Sequence, residues 1–333
     1  MTDLLKRLTM AAGLALAVAG GASADDKITL SLATWGASSH PQVKVYTPIF
    51  MDEVTKRTNG RVEWKFFPDD TMVKQAFVPT AIPGGQVDIS LTTLDSWAGR
   101  VPAVSIAASP LWTLTMDESA EQLQPGRPLF DHFDKLLGAQ QTKLLALFDI
   151  GPPTLFTRFP IDGPQSLAGQ TIRAYSKGAA ETLQALGAAP VNMGVADVYS
   201  ALQRGAIEGT LGGLQGAYGL KHYEVTSNML GTGGIFGALV NGYVMNRRRF
   251  DRLPKDVQQA ILDATAAARA KTVEVLISSY NDYVDRVKAA GLTTAVLKPG
   301  TPQWEAWEAA LADYRKKIAS QFDPETVALV AGK

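Results

Sequence analysis

"TIRAYSKGAAETLQALGAAPVNMGVADVYSALQRGAIEGTL", residues 171–211, changes its rhythm four times in a short span. Residues 171–175 are β-branched, apolar and aromatic, as in a strand. Residues 177–186 carry a helical pattern, and 190–193 return to strand character. A second helical run follows over 196–203, and 207–211 read as a third strand. Strands alternating with helices over short connections argue for a parallel sheet with helices on its faces. One residue does not fit that reading. Arg173 sits inside the first strand, and a guanidinium cannot lose its proton there. A buried Arg must meet an anion or leave its charge desolvated at a penalty of several kcal/mol. A carboxylate from the chain itself and a carboxylate from a ligand both satisfy that need.

The same rhythm extends outward in both directions. Upstream, "ITLSLAT" (28–34), "RVEWKFF" (61–67) and "VDISLTT" (87–93) read as strands. Between them, 42–57 reads as a helix ended by Asn59-Gly60. Residues 71–82 read as a helix that is short or bent, because Pro79 interrupts it and Pro83-Gly84-Gly85 end it. From 141 the pattern restarts with "TKLLALFDI" and a strand at 154–157, and "GALVNGYVMN" (237–246) is a further strand. Residues 255–290 contain neither Gly nor Pro and are rich in Ala, which predicts one helix. At about 1.5 Å per residue it spans about 50 Å, more than the width of one domain, so it is expected to brace two lobes. A strand at 292–298 and a helix over 302–321 close the chain. The expected division is 25–149 plus 238–280 for lobe one, and 150–237 plus 281–333 for lobe two. The lobes meet at crossovers near 149 and 238.

The 333 residues suit about two domains. With 46% hydrophobic residues the chain can bury sizeable cores, and its formal net charge of zero gives no electrostatic case for nucleic acid or an anionic membrane. The sequence has no cysteine, which excludes disulfides and thiolate chemistry. In "MTDLLKRLTMAAGLALAVAGGASADDK", Lys6 and Arg7 precede an apolar run from Leu8 to Ala19, and Ala22-Ser23-Ala24 matches an A-x-A cleavage pattern. This is the pattern of a secretory signal peptide over 1–24, and the run is too short to be a membrane span. Cleavage after Ala24 removes Asp3, Lys6 and Arg7, leaving a net charge of −1. The mature chain is then exported, and the periplasm is its expected compartment.

Ligands of open α/β sheets sit outside the carboxyl ends of strands, and a cleft between two lobes can close on a small molecule. Residues just beyond strand ends are therefore the candidates for a ligand site. Trp35 ends the first strand, Thr93 ends the third, and Trp97 follows it. Tyr175 shares a strand face with Arg173 by period-two spacing. Asn192 and the Gly212–Gly213 pair end two later strands, where glycine permits close backbone approach. Phe236 and Asn241 lie near the second crossover, where packing or pairing is the competing role. His40, His132 and His222 have no partner at metal spacing and read as surface or capped histidines. Asp69-Asp70 after Pro68 reads as a turn or helix cap. "GTGGIFG" (231–237) lacks the spacing of a phosphate cradle, and no nucleophile motif appears. No cofactor or metal is expected.

Several of these segments resemble one family. "FMDEVTKRTNGRVEWKFFPDDTM", "AIPGGQVDIS", "SLAGQTIRAYS" with the following "LGAAPVNMGVADVYSALQRGAIEG", and "NRRRFDRLPKDVQQAIL" follow the order found in substrate-binding proteins of tripartite ATP-independent periplasmic (TRAP) transporters, the DctP type. The resemblance implies an α/β, two-lobe periplasmic binding protein with a central cleft, its lobes joined by crossover strands and a long hinge helix. It implies that Arg173 is the anion anchor and that membrane permease subunits are partners, with the receptor itself a monomer. It also implies departures. A second family arginine falls about at Pro153, an asparagine falls on Gly212, an aromatic falls near Val195, and an acidic or amide residue falls near Thr93.

A solute receptor that holds a small organic acid on Arg173 is the expected function, and catalysis is not expected. The thinned polar set favours a monocarboxylate with an apolar or aromatic body, stacked on Trp35, Trp97 or Tyr175. A C4-dicarboxylate or a hydroxy or oxo acid is the alternative ligand. A binding protein for another transporter or a sensor is the alternative role.

Overall fold

A computed structural model describes residues 27–36, 40 and 42–331; the signal peptide read over 1–24 lies outside the described residues. Two sheets organise the chain. The first has the order β2-β1-β3-β10-β4, built from β1 (Ile28–Ala33), β2 (Val62–Phe67), β3 (Ile89–Thr93), β4 (Thr142–Asp149) and β10 (Val240–Asn246). Strands β1, β2 and β3 are parallel, and β10 runs antiparallel between β3 and β4. The second sheet has the order β11-β9-β5-β8-β6-β7. Its strands are β5 (Thr154–Thr157), β6 (Thr171–Ala174), β7 (Ala189–Asn192), β8 (Gly209–Gly212), β9 (Asn228–Gly231) and β11 (Thr293–Val296). Here β6 is parallel to both β7 and β8, while β5 is antiparallel to β8 and β9. This is the expected α/β architecture in two lobes.

The chain crosses between sheets between β4 and β5 and again between β9 and β10. The helix Lys255–Ala289 starts over the first sheet, where Val257, Ile261, Ala264, Ala268 and Leu276 enter its core. It ends over the second sheet, where Val287 packs with Phe156, Met229 and Leu292. One continuous helix thus contributes side chains to two separate cores.

Several local readings are corrected. Helices Met116–Gln122 and Pro128–Gly138 and the strand β9 were not anticipated. In β9 every residue is buried, so the polar–apolar alternation that marks a half-exposed strand is missing. The helix expected over 302–321 breaks at Leu311 into Pro302–Ala310 and Ala312–Ala319. The last helix, Pro324–Val330, departs from the expected assignment of 281–333 to lobe two. Val330 enters the core of Phe130, Phe133 and Trp112 beside the first sheet, and its carbonyl accepts from Thr113 N. His132 also reaches Thr326 Oγ1 at 3.0 Å, so it is a tethering residue of that return.

Two further contacts set the lobes against each other. Asp95, in the short turn of helix after β3, accepts a hydrogen bond through Oδ2 from Gly178 N at 3.4 Å, in the first turn of the lobe-two helix Lys177–Ala185. A Cβ on Gly178 would lie 3.1 Å from the Ala108 carbonyl, so only glycine allows this approach without a shift.

Candidate ligand-binding cleft

A cavity of about 510 Å³ lies between the lobes. Its walls come from the places where parallel strands end. Trp35 follows β1, Asp69 and Asp70 follow β2, Thr93 ends β3, Tyr175 follows β6, Gly212 ends β8 and Gly213 follows it. Ile150 and Leu239 come from the two crossovers, and Tyr283 and Arg286 from the long helix. Strands that point their carboxyl ends at one space leave loops, not ladders, around it, and loops are free to present side chains.

Arg173 is the buried cation of this cavity. It stands on β6 between Val191 of β7 and Thr210 of β8, and is 7% exposed. Its Nε donates to the Met193 carbonyl at 3.2 Å and its Nη1 to the Leu211 carbonyl at 3.2 Å. Both carbonyls lie at the ends of the flanking strands, so the sheet itself aims the guanidinium. Among the described residues no carboxylate pairs with Arg173, and Nη2 has no partner. The burial expresses itself in the pKa, which desolvation pushes down to about 10. Gly212 matters to this geometry, since a Cβ there would stand 3.5 Å from Arg173 Nη1. The departure from the family's asparagine therefore leaves open space beside the guanidinium.

Of the other residues read from sequence, Trp35, Tyr175, Thr93, Gly212 and Gly213 line the cavity with Arg173. Trp35 lies against His40 with ring centroids 5.5 Å apart. Trp97, Asn192 and Phe236 are not brought to it. Trp97 is fully buried in the first lobe and donates through Nε1 to Thr92 Oγ1 at 3.1 Å, because the turn after β3 directs it into the core. Asn192 ends an edge strand and is exposed. Phe236 is fully buried and packs near Trp307, with centroids 6.3 Å apart. Asn241 donates to Gln42 Oε1 at 3.2 Å inside the first lobe, in keeping with the pairing reading. Asp69 and Asp70 do form a turn, with both residues at φ 57°, and Asp70 Oδ1 accepts from Gln75 N.

The sequence reading missed residues that the folded chain brings in. His222 is corrected from a surface or capped residue to a buried one, 3% exposed, on the cavity wall. Burial, with the Arg173 charge nearby, pushes its imidazole down to about 4, so the ring is neutral. Gln215 is 3% exposed and also on the wall. Both follow β8 within the segment that carries Gly212–Gly213, and that proximity was the available signal. Tyr218 and Tyr283 add aromatic surface, with centroids 5.4 Å apart. Arg286 brings a second cation, but its Nη2 is engaged by Asp282 Oδ2 at 2.8 Å. Among the described residues no group of three or more His, Asp or Glu is placed to hold a metal ion. No helix among them is long and apolar enough to cross a membrane.

Comparison with known proteins gives a consistent result. The family model "Bacterial extracellular solute-binding protein, family 7", DctP, matches residues 32–321. The C4-dicarboxylate-binding periplasmic protein DctP of Rhodobacter capsulatus is 25% identical over 286 residues, 84% of each chain. The 2,3-diketo-L-gulonate-binding periplasmic protein YiaO of Escherichia coli K12 is 24% identical over 245 residues, 73% of this chain and 74% of that protein. Among solved structures, DctP7 of Bordetella pertussis, an extracytoplasmic solute receptor binding pyroglutamic acid, superimposes with a TM-score of 0.82. It covers 92% of this chain and 100% of its own, at 20% identity.

Proposed function

The chain belongs to the DctP family of bacterial extracellular solute-binding proteins, and from that premise we propose that its solute is a small monocarboxylate held by Arg173. The observation that carries this reading is a buried guanidinium on a cavity wall whose resident partners are two carbonyl oxygens. Carbonyls orient the group but leave its charge uncompensated. A ligand carboxylate supplies the missing anion, and the planar fork suits its two oxygens. A second carboxylate on the ligand finds no welcome: Arg286 is already paired with Asp282, and Asp69 and Asp70 put negative charge on the wall.

The remaining function follows from the class. The receptor captures the acid outside the cytoplasm, closes, and hands it unchanged to the membrane subunits of a TRAP-type transporter. Export by cleavage after Ala24 belongs to the same proposal. The relatives bind a diketo sugar acid, a C4-dicarboxylate and pyroglutamic acid, which span both mono- and dicarboxylates. Titration calorimetry with chain-length-matched pairs, butyrate against succinate and hexanoate against adipate, tests the choice. Tighter binding of the monocarboxylate in each pair, abolished by Arg173→Ala, is expected. Tighter binding of the dicarboxylates would overturn it.

A further inference from the structure

We propose that residues 320–331 are a clasp: they bridge the lobes on the sheet faces opposite the long helix and set how far the lobes part. The faces follow from strand alternation, because successive residues point to opposite sides of a sheet. In the first sheet, Leu145 and Phe148 of β4 share a core with the long helix, whereas Leu144 and Leu147 share one with Val330. In the second sheet, Phe156 of β5 and Met229 of β9 pack with Val287 of the long helix. Their neighbours Leu155 and Leu230 share the opposite core with Trp307 and Leu311. The lobes are therefore joined on both faces, once by the helix Lys255–Ala289 and once by the segment that follows residue 302.

The clasp is short and anchored at both ends. The helix Ala312–Ala319 rests on the second lobe through Tyr314, and Phe322 already packs on the core of the first. Ser320 and Gln321 lie between, and two residues span at most about 7 Å. Asp323 Oδ1 then caps the helix Pro324–Val330 by accepting from Glu325 N at 2.7 Å, with Pro324 presetting the first turn. Beyond it, Thr326 Oγ1 meets His132 Nε2 at 3.0 Å, and the Val330 carbonyl accepts from Thr113 N at 3.1 Å. Thr113 closely follows the helical turns Pro102–Ala108, whose Ala108 carbonyl abuts Gly178 of the second lobe. The contact from Gly178 N to Asp95 lies on these same faces, since Ala179 and Leu183 share the core of Leu155, and Ile106 and Ala107 that of Leu144. The clasp thus grips the part of lobe one that touches lobe two. Parting the lobes on this side requires the bridge to stretch or Val330 to leave its core. A looser clasp lets the lobes rest further apart, which leaves the closed arrangement less populated and lowers apparent affinity by that fraction.

The inference rests on the receptor reading only in that the lobes move, and its test needs no ligand. The sequence has no cysteine, so Lys135→Cys and Gln184→Cys place a single spin label on each lobe. Both side chains are exposed, on the helices Pro128–Gly138 and Lys177–Ala185. The distance between the labels is measured by pulsed electron–electron resonance on the unliganded chain from residue 25. Inserting about eight Gly and Ser residues after Ser320 adds about 15 Å of reach and removes no anchor. The mean distance is expected to lengthen by roughly 5 Å or more, within that added reach, and its distribution to broaden. Val330→Ala, which loosens the anchor instead of the bridge, is expected to shift the distance the same way by less. Melting curves are recorded on the same samples. A lowered melting temperature with an unchanged distance distribution would mean that the segment only stabilises the first core, and would overturn the clasp. Should Val330→Ala fail to fold, the insertion alone decides. The butyrate–succinate comparison reports on Arg173 and leaves this distance untouched, so the two readings fail separately.

Discussion

Arg173 at the carboxyl end of β6 and Arg269 in the middle of the helix Lys255–Ala289 are near twins in their bonding. Both are buried, at 7% and 6% exposure. Each donates through Nε to one backbone carbonyl and through one terminal nitrogen to another. For Arg269 these are Leu147 O at 2.9 Å and Ala120 O at 2.5 Å. Desolvation pushes both down to about 10. Among the described residues neither has a carboxylate partner. They differ in where they sit. Arg173 is on the wall of the cavity, whereas Arg269 ties the long helix to β4 and to the helix Met116–Gln122. A buried arginine without a carboxylate is therefore not by itself the mark of a ligand site; the open space beside it is.

This comparison separates binding from stability, and five substitutions test it. Arg173→Ala has the largest expected effect. As proposed, the ligand's carboxylate and the guanidinium meet out of water on closure, where removing one partner costs about 3–5 kcal/mol. Affinity for the bound acid should fall by roughly two to three orders of magnitude, and Arg173→Lys should restore little of it, because an ammonium cannot reproduce the fork. Near-wild-type affinity in Arg173→Ala, measured by calorimetry, breaks the contrast at once. The unliganded melting temperature should move far less than affinity does.

Arg269→Ala should show the reverse. It takes a donor away from the carbonyls of Leu147 and Ala120 and empties a packed site, at a cost of about 2–4 kcal/mol. For a chain of this size that corresponds to roughly 3–6 °C in thermal melting, with affinity changed less than about three-fold. Affinity lost in step with Arg173→Ala would mean that the two arginines belong to one system. Gly212→Ala is milder. Its Cβ would stand 3.5 Å from Arg173 Nη1, so crowding beside the guanidinium should weaken binding by about 1 kcal/mol, or roughly five-fold. Unchanged or improved affinity would place the ligand on the other side of the fork.

The smallest effect concerns the inter-lobe contact at Asp95. Burial pushes that carboxyl up to about 6, partly opposed by hydrogen bonds from Ser176 and Gly178 N–H. A carboxyl whose folded pKa lies above its unfolded value of 3.8 binds more protons in the folded state between those limits. Its contribution to stability is therefore complete below pH 3.8 and is lost as pH rises to about 6. Asp95→Asn should melt about 2–4 °C above wild type at pH 7.5, and the gap should close as pH approaches 4. A gap that widened on acidification would reverse the sign of the argument.

How much of this was legible in the sequence follows from what each residue needs in order to show itself. The strand–helix alternation of 171–211 and the unbroken run from 255 were readable because periodicity is local. Strand ends are readable too, and Trp35, Thr93, Tyr175 and Gly212–Gly213, read from them, line the cavity. Trp97 and Phe236 face the core rather than the cleft, because a turn of one residue more or less decides which way a strand-end aromatic points. His222 has no partner at metal spacing in the sequence, so nothing local marks it as a wall residue. Its burial depends on Phe156, which approaches it only through the pairing of β5 with β8. The return of Pro324–Val330 to the first lobe was invisible for the same reason, since an amphipathic helix does not say which core it joins.

One feature of the first sheet bears on how the chain comes to exist. Strand β10 lies between β3 and β4 and pairs with both, yet it is made long after them, with the whole of the second sheet's β5 to β9 in between. Until residues 240–246 are in place, β3 and β4 each present an open edge, and sheet one cannot zip in the order of synthesis. Pairing across so long a stretch of chain is slow. If the leader proposed for residues 1–24 carries the chain out of the cytoplasm, that delay is useful: a chain one of whose interior strands arrives late stays threadable. The same delay leaves naked strand edges, which are templates for aggregation, so truncation before residue 240 should lower the soluble fraction on expression relative to the full chain.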